Sequence, residues 1–89
     1  MKSIISNEEK CYICGRRYGL EAHHCLHGSA NRKLADKYGL VVYLCSRCHY
    51  TLHNQDKSLD RYMEQVAQKA FEQKYSHEDY MKLFRKNYL

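Results

Sequence analysis

Two Cys-x-x-Cys pairs, Cys11-Tyr-Ile-Cys14 and Cys45-Ser-Arg-Cys48, stand 30 residues apart (positions 15 to 44) in a chain of 89. A chain of this size buries only about 60% of the surface it would expose unfolded, so a fastening beyond the apolar core is expected. A structural zinc ion takes four ligands in a tetrahedron, and a two-residue gap lets one turn present both sulfurs of a pair. The pattern therefore reads as a four-thiolate zinc clasp made by Cys11, Cys14, Cys45 and Cys48. Structural zinc supplies on the order of 10 kcal/mol toward folding, enough to decide whether a small chain folds at all. The fifth cysteine, Cys25, is left over and reads as a buried or half-buried small residue.

One rival ligand set has to be weighed. His23 and His27 follow the first cysteine pair with the spacing of a two-cysteine, two-histidine zinc finger. Only eight residues separate Cys14 from His23, where such a finger carries about twelve. That scheme also strands the second cysteine pair.

An odd cysteine count in paired clusters argues against a disulfide framework. The first residues, MKSIISNEEK, lack the apolar stretch of a secretory signal. No apolar run approaches the ~20 residues of a membrane span. These features imply a cytoplasmic protein with reduced thiols and no membrane partner. Lysine and arginine number 15 against 10 acidic residues, a formal charge of +5. That balance fits either a solvated basic surface or a footprint for a polyanion such as nucleic acid.

The chain reads as one α+β domain, 1–89, with two characters. Residues 10–55 hold all the cysteines and glycines and five of the six histidines; residues 58–89 hold no cysteine or glycine and read as a two-helix extension packed on the first part. In the first part, Leu20 to His24 suits a short strand. Ser29 or Asn31 can cap a helix over Arg32 to Tyr38 that Gly39 ends, and Leu40 to Leu44 is a β-rich run. A knuckle then leads into a helix ending near Gln55. In the extension, Ser58 can cap a helix over Leu59 to Tyr75 with an apolar stripe of Leu59, Tyr62, Met63, Val66, Ala70 and Phe71. Ser76 to Asp79 fits a capping box opening a last helix.

With the thiols committed, the histidines are free for other work. His49 and His53 are four apart, so on a helix they share one face. A clasp at Cys45 and Cys48 would pin the start of that helix beside the segment holding His23 and His24. If that segment is extended, the two adjacent side chains point to opposite sides, which favours a division of labour between them.

A C-x2-C, then His23-His24, then a strand into Leu44-Cys-x-x-Cys-His49-x3-His53 resembles the HNH endonucleases, the ββα-metal nucleases. The likeness covers residues 11 to 53 and is greatest for small phage-encoded members; the tail RKNYL also looks like the helical tails of phage proteins in that group. The resemblance implies a zinc-clasped, treble-clef-like ββα-metal module with a C-terminal helical extension. It implies a metal-dependent DNA endonuclease, a hydrolase of phosphodiester bonds, in a phage-infected or lysogenic bacterial host. His23, His49 and His53 would hold one catalytic divalent cation (Mg2+, Mn2+, Ni2+ or Zn2+), and His24 would be the general base. The family's middle asparagine usually lies shortly before the second cysteine pair, where this chain has Gly39 and Leu40. Asn31 is the only asparagine between the histidine motifs, and either fills that catalytic role from another loop or caps the short helix.

Hydrolysis asks a base to take a proton from water near neutral pH, which suits an imidazole. Arg32, Lys33 and Arg47 are the candidate nucleic-acid contacts, gripping phosphates without reading bases. His27 reads as a loop residue within reach of phosphate, and His77 as a helix-start residue. Two other functions fit the same features: a non-catalytic, zinc-stabilised nucleic-acid-binding module, and an adaptor that meets other phage proteins in genome packaging.

Overall fold

The computed structural model describes residues 2–89. They form a small α+β fold with β1 (Leu20–His24), α1 (Ser29–Tyr38), β2 (Val41–Cys45), α2 (Ser46–Asn54), α3 (Lys57–Lys74) and α4 (His77–Phe84). The strands make an antiparallel two-stranded sheet in which Leu20 faces Cys45 and His23 faces Val42. Such a sheet is marginal alone. Here β2, rich in β-branched and aliphatic residues, is buried along nearly its whole length, whereas in β1 only His23 is. Among the described residues no helix is long and apolar enough to cross a membrane.

The sheet places the clasp and the histidines at known ends. Cys45 closes β2 opposite the start of β1, and the next residue opens α2, so the second cysteine pair bridges strand and helix. The first knuckle is tied to β2 by Tyr12 N–H donating to the Tyr43 carbonyl at 2.8 Å. Ser46 N–H donates to the Gly19 carbonyl at 3.0 Å and fixes the start of α2 against the chain entering β1. The N-terminal segment crosses the end of α1, where Gly39 has φ 73° and a Cβ would lie 3.0 Å from the Ile4 nitrogen. A side chain there meets both backbone strain and backbone atoms.

Helix α1 starts earlier than the sequence suggests and is capped by neither Ser29 nor Asn31. Gly28 occupies the N-cap at φ 97° with no side-chain cap. Asn31 sits inside the first turn, its Nδ2 donating to the His27 carbonyl at 2.9 Å. The cap of α3 is likewise Asp56 rather than Ser58: its Oδ1 accepts from the Ser58 and Leu59 amides at 3.0 and 3.2 Å. An aspartate two residues upstream satisfies two of the donors a helix start leaves open. Ser76 caps α4 as the spacing suggests, accepting from Asp79 N–H at 3.0 Å.

The core runs from Leu26, Leu40, Val42 and Leu44 through Leu52 to Met63, Phe71, Tyr80 and Phe84. Each such side chain, fully buried, contributes about 1.5–3 kcal/mol. The buried face of α3 keeps Met63 and Phe71 of the expected stripe, with Leu59, Val66 and Ala70 half-buried, but loses Tyr62 and gains Ala67 and Gln68. Met63, Ala67, Gln68 and Phe71 are buried, while Tyr62 is 51% exposed. The tail after α4 accounts for Gln68. Gln68 Oε1 accepts from the Tyr88 amide at 2.7 Å, and its Nε2 donates to Asn87 and Glu72. Gln65 Nε2 donates to the Tyr88 carbonyl at 2.9 Å. A fully bonded glutamine is tolerated in a core where an unbonded one costs ~1–3 kcal/mol, so the apolar pattern alone misses it.

Candidate metal centres

Cys11, Cys14, Cys45 and Cys48 bring their sulfurs within 4.8 Å of one another. Cys14 Sγ and Cys45 Sγ are 3.7 Å apart, against the roughly 3.8 Å edge of a tetrahedron whose metal–sulfur bonds are about 2.3 Å. Both pairs use the same local device: the amide of the second cysteine, three residues on, points back at the first sulfur, Cys14 N to Cys11 Sγ at 3.5 Å and Cys48 N to Cys45 Sγ at 3.4 Å. Burial raises the Cys11 thiol, but amides of Cys14, Cys45 and Ile13 outweigh it and hold it at about 6. The Cys48 amide likewise pulls Cys45 down. Burial and three neighbouring sulfurs push Cys48 up. Four sulfurs this close do not all ionise unless a cation joins them, and the cluster could hold a structural metal such as zinc. Cys25, fully buried, stands outside it.

A second cluster lies on the other side of α2. His23, His49 and His53 each offer a ring nitrogen within 4.8 Å of the others. Their ring centroids are 4.8–5.5 Å apart, tilted or edge-on rather than stacked. His23 is 1% exposed, and its Nε2 has no hydrogen-bond partner. Burial, then His49, His53, His27 and His24, drive its pKa down to about 3, which favours the neutral imidazole. Burial and His49 also lower His53. A neutral, buried, unpartnered nitrogen facing two further imidazoles is a donor set that suits a borderline divalent ion, and such an ion would satisfy the orphaned Nε2.

Carboxylates back the imidazoles from other elements. Glu21 Oε1 is 2.8 Å from His49 Nδ1, leaving Nε2 as the nitrogen available to an ion. Asp36 Oδ1 on α1 is 2.7 Å from His24 Nε2, and Asp60 Oδ1 on α3 is 2.7 Å from His27 Nε2. Such contacts fix tautomer and ring orientation and make the free nitrogen more basic. His24, next to His23 on β1, is therefore set up differently: it stands outside the three-nitrogen cluster with its own acid partner.

Both histidines, with His27, His49, His53 and Arg32, line an open cleft of about 530 Å3. Arg32 is thus a cleft residue, while Lys33 and Arg47 are exposed on α1 and α2 and do not line it. Asn31 does not line it either. His77 lies elsewhere, bonded to Glu72 at 2.8 Å.

His27 lies in the loop expected of it and lines the cleft, its ring centroid 5.6 Å from that of His53. Sequence reasoning missed three carboxylates. Glu21 carried a signal, because residues two apart on a strand share a face and His23 follows it by two. Asp36 and Asp60 carried none, since tertiary packing alone brings their helices to the site.

Compared with known protein families, characterised proteins and solved structures, the chain finds no match.

Proposed function

We propose that this chain is a metal-dependent DNA endonuclease of the HNH type that hydrolyses phosphodiester bonds. The observation that carries the reading is that the four sulfurs gather without any imidazole, leaving His23, His49 and His53 to converge beside a cleft. The antiparallel pairing of β1 with β2 across the inserted α1, with the first knuckle before them and α2 directly after, supports the finer reading of a zinc-clasped, treble-clef-like ββα-metal module.

His23, His49 and His53 would hold a divalent cation, which would supply Lewis-acid stabilisation of the charge that builds on the phosphate and the leaving 3′ oxygen. The rest falls to the chain. With Nε2–H donated to Asp36, the Nδ1 of His24 is the basic nitrogen that takes a proton from the attacking water. Arg32 in the cleft wall offers a cation to a non-bridging phosphate oxygen. Asn31, its amide engaged by the His27 carbonyl, acts through the loop it holds rather than on the substrate.

The test is supercoiled plasmid incubated with protein and Mg2+, Mn2+ or Ni2+, beside His24→Ala. Nicking by the wild type that falls by about a hundredfold or more in the variant supports the reading. Intact plasmid with all three ions rejects it. The absence of asparagine from the cleft wall favours the second reading, a zinc-stabilised nucleic-acid-binding module, for which both proteins bind the plasmid and neither cuts it.

A further inference from the structure

The two most exposed aromatic rings among the described residues stand close in sequence to arginines, on either side of the contact that joins the entry of β1 to the start of α2. Tyr18 is 71% exposed and Tyr50 59%. Arg16 stacks its guanidinium over the Tyr18 ring, 5.1 Å from the centroid. Arg17 precedes that tyrosine, and the Ser46 amide bonded to the Gly19 carbonyl holds this turn against the first turn of α2. On α2, Tyr50 is four residues after Ser46, three after Arg47 and three before His53. Helical spacing therefore puts its ring on the same side of α2 as Ser46, next to the face that carries His53.

We infer that this surface is a stacking ledge for an unpaired polynucleotide strand, so that the cleft takes single-stranded or frayed DNA or RNA, the melted stretches of a negatively supercoiled plasmid included, in preference to fully paired duplex. The inference names the substrate class of the proposed cleft and in that sense rests on the nuclease reading. Its grounds are chemical. A duplex hides the faces of its bases and offers a tyrosine ring little, whereas an unpaired strand presents a π-face at every nucleotide. Guanidinium groups beside the rings meet the phosphates of the same strand and add cation–π contact. The charge complements the ligand: Arg16, Arg17 and Arg47 carry no acidic partner within salt-bridge reach among the described residues.

The test is equilibrium binding, read by fluorescence anisotropy with the full-length His24→Ala protein so that nothing is cut. The probes are a labelled oligothymidylate, the matching oligouridylate and a blunt hairpin duplex of equal length. The ledge predicts that at least one single-stranded probe binds roughly tenfold or more tighter than the duplex, the ratio of the two assigning the sugar. Tyr50→Ala and Tyr18→Ala should each weaken that binding by roughly tenfold, while Tyr50→Phe and Tyr18→Phe retain it, because stacking needs the ring and not the hydroxyl. Arg47→Ala should flatten the salt dependence. Equal or tighter duplex binding, or alanine variants indistinguishable from their parent while circular dichroism reports native folds, overturns the ledge. Absence of plasmid nicking leaves this result standing, so the two ideas fail separately.

Discussion

Cys48 and His49 are consecutive residues on one helical turn, yet Cys48 belongs to the sulfur cluster and His49 to the imidazole cluster. Helix α2 is the shared wall of both. Residues one apart on a helix point about 100° away from each other, so a single rigid element can serve two centres without mixing their ligands.

Substitutions at these two positions are expected to separate. Cys48→Ser should lose the clasp metal and, with it, most of the folded signal, because structural zinc supplies on the order of 10 kcal/mol. His49→Ala should keep clasp metal and fold but bind a second ion at least roughly tenfold more weakly. Metal content by mass spectrometry, thermal melts and calorimetric titration with Ni2+ or Mn2+ read all three. Equal metal loss in both variants would mean that the two centres are one.

Asp36→Asn tests the partner of His24. An amide can hydrogen-bond but cannot stabilise a charged imidazole as a carboxylate does, so nicking should slow by roughly ten- to a hundredfold with plasmid binding unchanged. Asp36 is exposed, and folding should not depend on it. A variant as fast as the wild type removes Asp36 from the chemistry.

His23 ties stability to pH. Its folded pKa of about 3 lies below the ordinary 6.5, so between those values the unfolded chain binds a proton that the folded chain refuses. Stability is then full above pH 6.5 and declines as pH falls, by up to about 1.4 kcal/mol per pH unit. Urea unfolding at about pH 7 and about pH 5.5 should show the wild type losing more stability than His23→Gln over that interval. Parallel losses would assign the dependence to other groups, the clasp included, since those are common to both proteins.

Cys25 should be silent toward alkylation in the folded protein. It is 0% exposed, and burial with the nearby Asp60 carboxylate pushes its thiol up to about 12. Reaction with iodoacetamide near neutral pH requires thiolate and access, so labelling at Cys25 should track unfolding in urea. Mass spectrometry of peptides containing Cys25 decides it, and rapid native labelling counts against the packing described.

What could be read from the chain before its coordinates follows from which signals are local. The spacing of Cys11 and Cys14, and of Cys45 and Cys48, is a property of one turn each, and so was visible. The face shared by His49 and His53 is a helical period. The caps of α1 and α3 and the burial of Gln68 are less legible, for related reasons. Gly28 and Asp56 compete with nearby serines that look equally suitable. Gln68 is buried only because Tyr88 returns from the tail to bond it. His27 and Asp60 are 33 residues apart in sequence and meet only when α3 docks. No pattern along the chain announces such a meeting.

That meeting sets a limit on how far the molecule can be trimmed. A fragment ending at Gln55 keeps every sulfur and imidazole of both clusters, but it deprives His27 of the Asp60 carboxylate and strips from α2 the helix packed against it. The residues that would handle the ion and the residues that keep them in register thus end at different places in the chain. Anyone seeking the smallest competent unit should keep α3.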